Sequence, residues 1–131
     1  MLVNTFLPYP NFHDSARCLD YRRLGKQRVE VLQLLKGQWP NHPCAKMWKG
    51  YEYSLAGYGI AICDSWINRG YQDTCLGKIL TLSEAFQDTG PPPWLGDPAI
   101  HLAYQSNLVR KDPGFYRKFW PDVPDNLPYV W

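Results

Sequence analysis

The chain has 131 residues, a formal net charge of +2, 45% hydrophobic residues and 20% charged residues. That balance suits one globular domain burying roughly two-thirds of its unfolded surface, and it excludes a low-complexity chain. No stretch approaches 18 consecutive apolar residues, which excludes a membrane-spanning helix, and MLVNTFLPYP lacks the basic start and apolar run of a signal peptide.

Residues 2–8 form a short apolar segment ended by Pro8 and Pro10. A first long helix is predicted from an Asn11 or Asp14 cap to about Lys36, with Gly37 as its stop and Pro40 beyond. At 100° per residue Cys18, Tyr21, Leu24, Val31, Leu32 and Leu35 share one broad face, the core side. Arg23, Lys26, Gln27 and Glu30 gather on the opposite arc, with Asp20 at its edge.

A second long helix fits residues 41–69, capped by Asn41, with Pro43 in its first turn and Gly70 as its stop. Trp48, Tyr51, Leu55, Tyr58, Ile62 and Trp66 repeat along it every three or four residues as a buried stripe. Gly50, Gly57 and Gly59 weaken it and point to close approach by another helix or loop. Residues 74–87 read as a shorter amphipathic helix, and TGPPPWLGDP as a rigid connector. Asp97-Pro98 opens a helix to about Arg110, and Asp112-Pro113 opens a last short one over FYRKFW. The Pro-rich tail PDVPDNLPYVW is not helical, yet its apolar end suits docking on the body. The expected fold is therefore all-α: a compact single-domain helical bundle over residues 1–131, with two long helices and shorter C-terminal ones.

Cys18, Cys44, Cys63 and Cys75 have no zinc-like spacing. They read as free thiols of a soluble cytoplasmic protein, with no metal or other cofactor expected. Charge is uneven: residues 1–50 hold eight Lys/Arg against three Asp/Glu, and RKDPGFYRK near the C-terminus is again basic. Two basic segments on a near-neutral background suit a phosphate-binding patch. Arg23, Lys26 and Glu30, spaced i, i+3 and i+7, line one side of two helical turns. Such a row either grips phosphates with an acid or base beside them, or faces solvent in weak ion pairs. Arg28 projects toward the apolar side and requires a carboxylate or phosphate partner. His42, at a helix start, either contacts an anion or caps the helix. RKDPGFYRKFW interleaves cations with aromatics, a pattern suited to phosphates and bases and equally to packing.

Taken in order, these segments resemble the pyrimidine-dimer DNA glycosylase family, the phage endonuclease V-like enzymes that incise ultraviolet-damaged DNA. The resemblance rests on Tyr21-Arg22-Arg23-Leu24, on His42 ahead of a long helix ending in Arg69-Gly70-Tyr71, and on Phe115-Tyr116-Arg117-Lys118-Phe119-Trp120. LDxxRLGKQRVE, NHPxxxMWxGYE and PPWLGD further resemble a divergent branch of bacterial and phage proteins grouped with it. The resemblance implies an all-α enzyme that kinks duplex DNA, flips a base and attacks the sugar C1′ with an N-terminal amine. A helix-borne glutamate would assist, and arginines of the same helix would hold phosphates. Where the family carries that glutamate, directly after Tyr-Arg, this chain has Arg23. Glu30, two turns and about 10 Å along the same arc, is the nearest substitute. Met1 is followed by bulky Leu2, so the available α-amine is that of Met1, with Lys26 as another candidate nucleophile.

The expected catalytic set is thus Glu30, Met1, Lys26 and Arg23. Arg22, Arg23, Lys26, His42, Lys111, Tyr116, Arg117 and Lys118 are the expected nucleic-acid contacts. The partner expected is damaged or modified double-stranded DNA, bound by a monomer with possible AP-lyase activity. The alternatives are a non-catalytic DNA-binding module on the same fold, or an enzyme acting on a nucleotide-like small substrate.

Overall fold

A computed structural model describes residues 3–131 and contains seven helices with, among those residues, no strand. In chain order they are α1 (Phe12–Cys18), α2 (Tyr21–Leu35), α3 (Pro43–Trp48), α4 (Glu52–Asn68), α5 (Leu76–Ser83), α6 (Pro98–Lys111) and α7 (Pro113–Tyr116). The all-α expectation holds, but both long helices are broken near their first third.

The first break falls at Leu19-Asp20. Asp20 is extended and its carboxylate accepts from the Arg23 amide, so it caps a new helix where periodicity alone runs straight through. Leu19 is fully buried. The Arg69 guanidinium donates to the carbonyls of Ala16, Arg17 and Leu19, which satisfies the end of α1. The second break falls at Lys49-Gly50-Tyr51, where Gly50 adopts a φ of +87°, a left-handed conformation that no β-carbon disturbs. His42, not Asn41, caps α3: its Nδ1 accepts from the Cys44 amide. The two Asp-Pro starts are observed as expected, with Asp97 capping α6 and Asp112 capping α7. The last helix, however, covers only Phe115 and Tyr116 of the FYRKFW run.

Helix α4 is the central element, packed against α1, α2 and α5. Trp48, Leu55, Tyr58, Ile62 and Trp66 of the expected stripe are buried. Gly59 is the close approach foreseen for this helix, since a β-carbon there would lie 2.7 Å from Val31 of α2 and 3.1 Å from Ile79 of α5. The four cysteines are buried free thiols.

Two expectations for the first helix fail in an informative way. Tyr21 is not core but 55% exposed, stacked on Trp66 and against Tyr71. Gln27 and Glu30, on the supposedly outward arc, are 0% and 6% exposed. Their cover is the N-terminal segment, whose residues Val3–Pro8 are buried without joining a helix or strand. Such a segment must find side-chain partners for its backbone. Gln27 accepts from the Phe6 amide at 2.8 Å and donates to the Asn4 carbonyl at 2.6 Å. The Tyr58 hydroxyl donates to the Phe6 carbonyl at 2.6 Å and lies 3.0 Å from Gln27 Oε1. Downstream, His101 takes the Gly96 amide on Nε2, so its Nδ1–H donates to the Leu7 carbonyl, and Gln105 donates to that of Pro8.

Gln27→Leu keeps the volume but strips the Phe6 amide and Asn4 carbonyl of their partners. It is expected to lower unfolding free energy by about 2–4 kcal/mol in urea titration, whereas Gln33→Leu, half-buried on the same helix, should change it by less than about 1 kcal/mol.

Candidate active site

Because the N-terminal segment lies along α2, the charged arc of that helix opens into a cleft rather than onto a free surface. The cleft measures about 280 Å³ and is lined by Asn4, Phe6, Arg22, Arg23, Lys26, Glu30 and Lys111. Five of the residues singled out from sequence therefore converge, four from α2 and Lys111 from the last position of α6. Asn4 and Phe6 were not anticipated. Their signal in the sequence is the apolar run of residues 2–8, which calls for burial.

Glu30 differs in environment from every cation around it. Burial pushes its carboxyl from an ordinary 4.5 up to about 7, against the opposing pull of Lys26 and the Asn4 backbone. Lys26 and Arg22 are exposed, with their stems along the wall. Arg23 is half-buried and pairs with Asp20 at 3.1 Å. Burial opposes ionisation of Asp20, yet hydrogen bonds from Tyr116 and Arg23 outweigh it and hold that carboxyl below its usual range. The floor thus carries a carboxyl able to hold or release a proton near neutrality, under a rim of positive charge.

The remaining expected contacts lie outside this cleft lining. The buried Tyr116 hydroxyl accepts from the Asp20 amide and donates to the Asp20 carboxylate, tying α7 to the start of α2. Arg117 donates to the carbonyls of Trp120, Pro121 and Val123, folding the chain back after α7. Lys118 lies over the rings of Phe115 and Phe119. His42 caps α3, packs edge-on against Trp131, and is held below its usual pKa by desolvation. Met1 lies outside the described residues. Arg28 finds a carboxylate: it binds Asp73 at 2.5 Å and lies 4.4 Å over the Trp66 ring, so it holds the start of α5 to α2.

The raised pKa of Glu30 has a thermodynamic sign. A group whose folded pKa exceeds its unfolded value contributes stability below the unfolded pKa, and loses it as pH rises through the folded one. Between pH 4.5 and about 7 the native chain therefore loses stability that Glu30→Gln retains. Urea unfolding should show the variant near wild type at pH 4.5, and more stable by on the order of 2 kcal/mol at pH 8.

No curated protein and no solved structure matches the chain. A family model described as pyrimidine dimer DNA glycosylase matches residues 3–78. That span holds the N-terminal segment and α1 to α4, and with them every lining residue of the cleft except Lys111. The match covers more than half of the sequence, and the chain belongs to the pyrimidine dimer DNA glycosylase family.

Proposed function

We propose that the chain is a DNA N-glycosylase acting on a damaged or modified pyrimidine in duplex DNA, with the Glu30 cleft as its active site. One observation carries the reading: a buried carboxyl with a pKa raised to about 7 stands in a cleft whose other described charged residues are Arg22, Arg23, Lys26 and Lys111. Cations around a cleft draw in the phosphate backbone. A base joined to that backbone must leave the stack to reach the floor, at a cost of a few kcal/mol that is smallest for a damaged site.

Chemistry at the sugar then needs an amine and a proton carrier. The amine nitrogen attacks C1′, and the C1′–N bond to the base breaks with its electron pair going to the base. Protonated Glu30 gives the departing base its proton. The amine then loses a proton, the C1′–O4′ bond breaks with its electron pair going to O4′, which takes up a proton, and the opened sugar is left with an imine at C1′. The Met1 α-amine suits this role because an α-amine, with a pKa near 8, keeps a usable neutral fraction at pH 7. Lys26, on the cleft wall, is the alternative nucleophile. The Glu30 carboxylate left behind takes a proton from C2′, after which the 3′ phosphate leaves by β-elimination. That second half constitutes the AP-lyase activity. Arg23 stands where related enzymes carry their glutamate, and its role here is to stabilise phosphate charge.

Borohydride trapping tests the scheme. Wild-type protein incubated with ultraviolet-irradiated or base-modified duplex should yield a covalent adduct. Glu30→Gln should lower the trapping rate by about 100-fold or more while duplex affinity stays within about threefold. Absence of both adduct and base release from every such duplex overturns the proposal. Duplex binding that persists without turnover identifies a binding module instead.

A further inference from the structure

Among the described residues that line the cleft, Lys111 is the one cation that does not come from α2, and it is also the one held by the C-terminal tail. Its Nζ donates to the Tyr129 hydroxyl at 3.0 Å and lies 5.1 Å from the centre of the Tyr129 ring. Arg110, its neighbour, reaches the same ring at 5.0 Å and donates to the carbonyls of Asp125 and Leu127. The tail is fixed on both sides of that contact. The Leu127 amide donates to the buried Ser106 hydroxyl, while Trp131 stacks on Tyr129 and meets the His42 ring edge-on.

We infer that Tyr129 is a positioning residue for the cleft: its hydroxyl sets the Lys111 ammonium at the wall, ready for a substrate phosphate. The inference rests on the reading of the cleft as a DNA site. A lysine at a helix end has four rotatable bonds, and ordering it at the moment of binding opposes association. Tyr129 does that ordering beforehand. An ammonium has three donors and the phenol accepts one, so two remain for phosphate oxygens. The ring beneath adds attraction for the charge without neutralising it. The Lys111 hydrogen bond in turn favours the phenolate and draws the Tyr129 hydroxyl below its usual pKa. No residue of the matched span 3–78 supplies this hold, so the tail completes a site that the first three-fifths of the chain begins.

A double-mutant cycle on duplex affinity tests it, using wild type, Tyr129→Phe, Lys111→Gln and the double variant at fixed salt. Tyr129→Phe keeps the ring and removes only the acceptor. It is expected to raise Kd for a damaged duplex about threefold to tenfold, with the melting temperature within about 2 °C of wild type. In the Lys111→Gln background the same change should have no further effect, which a merely structural hydroxyl would not produce. Equal effects in both backgrounds, or none in the wild-type background, overturn the role of Tyr129 and leave the cleft reading intact. If Lys111→Gln itself leaves both Kd and its salt dependence unchanged, Lys111 meets no phosphate and the inference falls with that part of the proposed function.

Discussion

Gln27 is the contact on which the rest of the molecule depends. An extended segment with no strand beside it carries a row of unpaired amides and carbonyls into the interior, and each costs about 1–3 kcal/mol if left bare. One primary amide answers two of them, with an acceptor for Phe6 and a donor for Asn4. Tyr58 closes the arrangement from α4. A hydrophobic residue at position 27 would pack the same space and leave the segment nothing to bond. The geometry of the cleft follows, because the register of the segment on α2 brings Asn4 and Phe6 to line it with Glu30.

The same covering explains why the cleft's carboxyl holds its proton toward neutral pH. Glu30 lies on the arc that the segment shields, so it loses water without gaining an ion partner close enough to offset the loss. Arg22 and Lys26 are exposed to solvent, whereas Arg23 pairs with Asp20 and Lys111 bonds Tyr129. Such an arrangement is unfavourable for stability at high pH, and a fold optimised only for stability would carry a glutamine there. A raised carboxyl beside four cations is the feature on which the proposed chemistry rests. Asp20 shows the contrast within one helix: equally acidic in origin, it is supplied with Tyr116 and Arg23 and serves as structure.

Much of this was legible in the residues, and the failures share a cause. Asp-Pro pairs and the every-third-or-fourth aromatic stripe located α4, α6 and α7 because those signals act within a few positions. The break at Asp20 was missed because Asp20 also fits a helical arc, and what fixes it as a cap is Tyr116, 96 positions away. Periodicity assigns one buried face to an amphipathic helix, but α2 has two. Its second face is polar because it meets a bare backbone, and polar side chains in sequence look the same whether they meet backbone or water. Spacing alone therefore left the Arg23–Lys26–Glu30 row undecided. The family resemblance selected it, and the position of the segment explains it physically. Arg117 and His42 were drawn to the site by residue type, and the structure gives both of them neighbouring backbone groups to hold.

The pairing of first and last segments also sets an order of events. The bonds from His101 to Leu7, Gln105 to Pro8 and Trp120 to Tyr9 span 94, 97 and 111 positions. Helical bundles fold fast when their contacts are local, and closure over such distances is the slow part. In a chain emerging from the ribosome, α1, α2 and α4 meet early, while the N-terminal segment waits for α6 before its carbonyls are all answered. The Lys111 wall of the cleft thus arrives last, after α2 and α4 have already offered Gln27 and Tyr58 to the N-terminal segment.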